Sequence, residues 1–222
     1  LTALGLAIAG PASAADAETD RIGGSDRYAT SAEISEETFA AGVDVAYLAS
    51  GVNYPDALAG GAVAGHQGAP VLLTKPDAIP AVIAAELERL NPGKIVVLGG
   101  ESAISASVVT AADAYTGGTV ERIAGDNRYD TAGDVAMAGF PSGAATVFGA
   151  SGENFPDALG GAAAAAELGG PVLLTKANDL PKETQLALTQ LEPTRVVVLG
   201  GETAVSKAVA TELAAYDADE TI

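Results

Sequence analysis

The chain has 222 residues, 48% of them hydrophobic, with few aromatics, 27 glycines and a formal net charge of −18. That length accommodates two compact domains, each burying a core of small side chains. Zero cysteines exclude disulfides, thiolate metal sites and thiol catalysis, and the acidic balance argues against a nucleic-acid or anionic-lipid surface.

The chain opens on an apolar run, Leu1 to Gly10, followed by Pro11 and Ala12-Ser13-Ala14. This fits the apolar region and small-residue cleavage site of a secretory signal peptide that begins inside the signal, covers 1–14 and is cut after Ala14. A disordered Ala-rich linker is the competing reading. About ten apolar residues are too few to span a bilayer, so no membrane insertion is expected once the signal is removed. Residues 15–20 read as a linker.

Helices and strands then alternate. Thr30 or Ser31 is expected to cap a helix running to about Ala41, with Glu33 in its first turn. Val45 to Ala49 is a short apolar strand, and Ser50-Gly51-Val52-Asn53 makes the turn after it. Pro55 suits the first position of the next helix, with Asp56 near its N-terminus. Val71 to Thr74 is a strand, and Pro80 to Leu90 a helix with Val82, Ile83, Leu87 and Leu90 inward. Ile95 to Leu98 is a third strand, ended by Gly99-Gly100. Glu101 leads to a short helix from about Ser105, and Thr119-Val120 carries the chain onward.

The same order then returns. Arg21-Ile22-x-Gly24-x-x-Arg27-Tyr28-x-Thr30 recurs as Arg122-Ile123-x-Gly125-x-x-Arg128-Tyr129-x-Thr131. Ser50-Gly51-x-Asn53-Tyr54-Pro55-Asp56-Ala57-Leu58 recurs as Ser151-Gly152-x-Asn154-Phe155-Pro156-Asp157-Ala158-Leu159. Pro70 to Lys75 returns as Pro171 to Lys176, and Val96 to Glu101 as Val197 to Glu202. Every pair is displaced by 101 residues (122 − 21). The chain is a tandem duplication with expected units 21–121 and 122–222. Each is an α/β unit with a parallel sheet covered on both faces, three layers in all.

The duplication sorts the charges. Eight of the 11 basic residues form matched pairs: Arg21/Arg122, Arg27/Arg128, Lys75/Lys176 and Lys94/Arg195. Among the acids Glu33/Asp134, Asp56/Asp157 and Glu101/Glu202 are matched, whereas Asp44, Asp77, Glu86, Glu88 and Asp113 align with uncharged residues. The single histidine, His66, aligns with Glu167, which excludes an imidazole mechanism common to both units. A few placed cations on an acidic molecule point to a site. Asn53, Asp56, Lys75 and Glu101 all follow strands, so they are expected on the carboxyl rim of the sheet, where ligands and helix N-termini gather.

Written out, the repeat resembles the cell wall-binding repeat 2 family of Gram-positive surface proteins. The words that carry the likeness are R-I-x-G-x-[DN]-R-Y-x-T, S-G-x-N-[YF]-P-D-A-L, P-V-L-L-T and V-V-L-G-G-E, each present twice. The resemblance implies a Toprim-like α/β unit, a three-unit pseudo-threefold assembly, and noncovalent anchoring at the cell surface to an anionic secondary wall polymer. This chain holds two units, and Thr221-Ile222 resembles Thr119-Val120, so a third repeat or self-association is expected as partner.

On that reading Arg21, Arg27, Lys75, Arg122, Arg128 and Lys176 hold anionic groups, since arginine binds phosphate or carboxylate bidentately and lysine adds a point charge. Asn53 and Asn154 bond sugar hydroxyls, and Tyr28 and Tyr129 stack on sugar faces. Structural roles compete: ion pairs of the arginines with Asp56 or Glu101, packing for the tyrosines, and a cap or loop staple for Asp56 and Asp157. Asp56, Glu101, Asp157 and Glu202 are therefore structural or ligand-assisting. Neither a cofactor nor a resident metal is expected. Two rival functions remain: phosphoryl transfer or hydrolysis on a divalent metal held by Asp56 and Glu101, and a purely structural surface-layer component.

Overall fold

The computed structural model describes residues 21–153 and 156–217. The expected signal peptide, the linker, Asn154 and Thr221-Ile222 lie outside them. The first unit runs α1 (Arg27–Thr38), β1 (Ala46–Ser50), α2 (Pro55–His66), β2 (Val71–Thr74), α3 (Ala81–Leu90), β3 (Lys94–Leu98) and α4 (Ala106–Ala112). Then come β4 (Thr119–Ile123), α5 (Arg128–Gly139), β5 (Thr146–Ser151), α6 (Pro156–Glu167), β6 (Val172–Thr175), α7 (Lys182–Leu191), β7 (Arg195–Leu199) and α8 (Lys207–Ala214).

Two parallel sheets result, β2-β1-β3-β4 and β6-β5-β7. β4 straddles the division between 121 and 122. It pairs with β3 from Lys94 opposite Thr119 to Leu98 opposite Ile123, so the Arg122-Ile123 motif completes the first sheet.

Alternation along β1 and β3 shows why these strands read as continuous apolar runs. Ala46, Leu48, Ile95 and Val97 face a core built with Ile83 and Leu87 of α3 and Val108 of α4. Tyr47, Ala49, Val96 and Leu98 face the opposite way, into a core shared with Val63 of α2, Val135 of α5 and Leu188 of α7. The second core joins the two units. Small residues permit the approach: a Cβ on Gly65 would lie 2.6 Å from the Ala166 Cβ.

Three local expectations change. α1 begins at Arg27 because Asp26 caps it, Oδ1 accepting from the Tyr28 and Ala29 amides at 2.9 Å. Thr30 is instead turned back to accept from the Gly24 amide at 3.1 Å, and Thr131 does the same for Gly125 at 3.0 Å. α1 also ends at Thr38, because Phe39 is extended. Val82 is exposed, since the inward stripe of α3 passes through Ile83, Leu87 and Leu90.

Candidate functional site

The duplicated Arg-Tyr step starts α1 and α5, and both residues converge on the turn after the first strand of their unit. Arg27 Nη1 donates to the Gly51 carbonyl at 2.5 Å, and Arg128 Nη1 to Gly152 at 2.6 Å. The tyrosine ring covers the same glycine: a Cβ on Gly51 would sit 2.5 Å from Tyr28 Cε1, and one on Gly152 2.8 Å from Tyr129 Cε1. The repeated Ser-Gly is thus explained by close ring packing. Burial pushes the Tyr129 hydroxyl above its usual range, with Glu153 adding to the effect. Arg27 and Arg128 remain exposed.

Arg122 is placed differently. It is half-buried, and Nη1 donates to the Gly99 carbonyl at 2.5 Å while Nη2 reaches Ile104 and Ser105 at 2.7 and 3.3 Å. The carboxylate partners weighed for the arginines are replaced by main-chain oxygens. Among the described residues the ion pairs are Arg89–Glu86, Lys94–Glu121 and Lys176–Asp179. Arg21 is exposed and makes no hydrogen bond or ion pair among those residues.

A polar cleft of about 230 Å³ lies between the units. Asn53, Asp56 and Ser102 come from the carboxyl rim of the first sheet; Asp126, Asn127 and Arg128 come from the start of α5. Asp56 is in the first turn of α2, and its Oδ2 rests against Gly99, a residue at φ +96°. Burial raises the Asp56 carboxyl above the ordinary carboxylate range, and the Arg128 guanidinium pulls it back. The start of α5 is not an open anion site: Asn127 Oδ1 accepts from the Tyr129 and Asp130 amides, and Asp130 Oδ2 from the Asp126 amide.

Next to this cleft is a more apolar groove of about 540 Å³, lined by Arg27, Val52, Asn53, Tyr54, Leu58 and Leu159. Asn53 lines both. The structure therefore brings Arg27, Asn53 and Arg128 along one continuous surface. Tyr129 and Lys176 share a separate cleft of about 460 Å³, where Lys176 is held by Asp179 at 2.8 Å. Lys75, Glu101 and Glu202 are exposed and do not join either feature; Asp157 repeats the Asp56 placement, its Oδ2 against Gly200.

Sequence reasoning missed Tyr54, Val52, Ser102 and Asn127. Tyr54 was recoverable, being aromatic within the repeated word and aligned with Phe155. Ser102 follows Glu101 on the rim of the first sheet, and Asn127 reaches the site only through packing of one unit on the next. No group of three or more metal-binding side chains occurs among the described residues, and Glu101 is not among the residues lining the cleft that holds Asp56.

Two parallel α/β units, joined through a shared core and meeting at a polar cleft, define a tandem-repeat binding protein. The sequence model of the cell wall binding domain 2 family matches residues 21–109 and again 122–210, and the chain belongs to that family. It is 30% identical to N-acetylmuramoyl-L-alanine amidase LytC of Bacillus subtilis over 95% of this chain and 42% of that protein. It is 32% identical to the amidase enhancer of the same organism over 89% of this chain and 26% of the relative. The chain thus spans less than half the length of either relative. Cwp8 from Clostridium difficile superposes with a TM-score of 0.78 at 30% identity, covering 89% of this chain and 33% of Cwp8. Cwp6 shares the fold, with a TM-score of 0.80 at 24% identity over 91% of this chain and 34% of that one. The two units form a cell-wall attachment module. No helix among the described residues is long and apolar enough to cross a membrane.

Proposed function

We propose that this module anchors a secreted protein noncovalently at the cell surface by gripping an anionic secondary wall polymer along the surface joining Arg27, Asn53 and Arg128. The observation that carries the proposal is the shared position of Asn53, which lines the apolar groove beside Arg27 and the polar cleft beside Arg128. Sugar faces rest on Val52 and Tyr54, hydroxyls bond to Asn53, and anionic groups meet the exposed arginine side chains. Lys75, Tyr129 and Lys176 stand outside this surface, Tyr129 and Lys176 in a cleft of their own, and serve as secondary contacts. Arg122 serves by closing the first sheet, and the Toprim-like units are completed by a third repeat or by self-association. The chain itself is noncatalytic; chemistry belongs to other parts of the longer proteins that carry such repeats.

Cosedimentation of the purified chain with cell walls tests this, before and after acid stripping of the secondary polymer. Binding lost on stripping supports the reading. Binding retained moves the target to peptidoglycan, and absence of binding to both preparations overturns the assignment of this surface. Loss of binding with chelator would instead favour bridging divalent cations between carboxylates and polymer.

A further inference from the structure

We propose that the polymer's anionic group enters the polar cleft together with a proton carried by Asp56, whose neutral carboxyl donates a hydrogen bond to the group its ionised form would repel. This rests on the reading that Arg128 meets an anionic group there, and it adds to that site a residue and a dependence on pH.

The charge of the cleft itself sets the problem. Arg128 is the one cation among its lining residues, and Asp56 and Asp126 are two carboxylates, so with both ionised the balance is negative. Arg128 keeps its charge at every relevant pH. An anion drawn in by that guanidinium is repelled by two charges inside about 230 Å³, where Coulomb interactions are less screened than in bulk water. Neutralising one carboxylate removes the conflict.

The two carboxylates are not equivalent. Asp126 is exposed to water, and its main-chain amide is held by Asp130 Oδ2 at 2.9 Å. Asp56 is half-buried in the first turn of α2, with Oδ2 against Gly99. Among the described residues it forms no ion pair and accepts no hydrogen bond. Such a carboxylate has lost water without gaining a donor. Burial accordingly outweighs the pull of Arg128 and raises its pKa.

Charged groups on the surrounding elements do not relieve it. Arg122 of β4 is spent on the carbonyls of Gly99, Ile104 and Ser105. Asp130 of α5 and Asp157, in the first turn of α6 beside Gly200, are further acids, and Glu101 is exposed outside the lining. The protonated carboxyl supplies one O–H donor, next to the uncharged Asn53 and Ser102. A bound anion opposes ionisation of Asp56, so the complex holds the proton more tightly than the free chain. By linkage, binding strengthens as pH falls through the value in the complex and levels off below the value in the free chain.

Cosedimentation with the host's cell walls across a pH series at constant ionic strength is the test, with wild type, Asp56→Asn and Asp113→Asn compared at each pH. Asparagine copies the neutral carboxyl in shape and keeps a donor. The ratio to wild type cancels titration of the wall itself. Asp56→Asn is expected to bind about 3–10-fold more tightly than wild type near neutral pH, and the ratio to fall towards one in acid. Asp113 is an exposed acid between α4 and β4, at the edge of the sheet opposite the carboxyl rim. Its variant removes the same net charge, and its ratio to wild type is expected to stay constant with pH. Urea unfolding at each pH checks that the variants fold. An Asp56→Asn ratio that does not move with pH overturns the proposal and leaves wall binding standing. So does an Asp56→Asn chain that binds more weakly at neutral pH; if chelator also weakens the wild type, the ionised carboxylate holds a bridging cation instead. Failure of the wild type to bind walls at any pH overturns the wall-binding reading and this proposal together.

Discussion

Arg122 opens the second repeat in sequence, yet its guanidinium is bonded to the Gly99 carbonyl of the first sheet at 2.5 Å. With Ile104 and Ser105 also accepting from it, one side chain ties β4 to the loop after β3. The same motif residue, Arg21, has no such acceptors in reach among the described residues. Among the described residues, identical words in the two repeats therefore do different physical work.

That asymmetry gives the first prediction. Arg122→Ala strands half-buried carbonyls that a charged donor had satisfied, and is expected to lower unfolding free energy by about 2–3 kcal/mol. Arg21→Ala, at an exposed position, is expected to change stability by less than about 0.5 kcal/mol. Urea unfolding of the two variants at low protein concentration measures both. Equal effects would show that the carbonyl bonds are not what Arg122 contributes.

The repeated Gly-Gly words make a second distinction. Gly99 has φ +96° and Gly200 φ +105°, and a Cβ on either would strike the carboxylate of Asp56 or Asp157. Gly99→Ala combines left-handed strain with that collision, and a loss of about 1–3 kcal/mol is expected. Gly100 has open space where a Cβ would go. Gly100→Ala is expected to be nearly silent, so thermal unfolding of the pair separates a specific requirement from general loop rigidity.

Much of this organisation was legible before any coordinates. Periodicity located the strands, because runs such as Ile95 to Leu98 are buried on both faces and leave little alternative. The duplication singled out Arg27, Arg128 and Asn53, which do share a surface. What could not be read was the bond each arginine makes to the turn after the strand. Gly51 and Gly152 accept through main-chain carbonyls, which carry no sequence signature. Nor could the sequence place β4 in the preceding sheet, since a Thr-Val-Glu-Arg-Ile strand says nothing of which edge it joins. The Asp26 cap was overlooked because Thr30 and Ser31 lay closer to the apolar periodicity; the cap stands where the chain turns, ahead of it.

Asp56 yields a prediction in pH. Its folded pKa is raised above the ordinary value of 3.8, chiefly by burial and in spite of Arg128. The folded state then binds the proton more tightly than the unfolded state, so this group's contribution favours folding at low pH. It is lost as pH rises from about 3.8 through the raised folded value. Asp56→Asn removes this dependence. The stability of the wild type relative to the variant is expected to fall across that window and level off above it. A difference that grows with pH instead would mean that Arg128 outweighs burial at this carboxyl.

The proposed polymer surface makes its strongest demand on the cations. Arg27 and Arg128 each use Nη1 on a carbonyl and remain exposed, whereas Lys176 is held by Asp179 at 2.8 Å. Arg128→Glu places a negative charge next to Asp56 in the cleft, so wall binding is expected to fall by tenfold or more, since a reversed contact repels where it had attracted. Asn53→Ala removes uncharged hydrogen bonds and is expected to cost about 3–10-fold. Lys176→Ala is expected to change little, because an exposed pair contributes little and its loss frees Asp179 at the same time. Repeating each binding curve at rising salt separates the causes. Added salt weakens the wild type by screening its arginines, and the Asn53 variant keeps that sensitivity while the Arg128 variant loses much of it. If instead Lys176→Ala were the damaging change, the polymer would follow the cleft beside Tyr129 within the second unit, and the surface through Asn53 would not be its path.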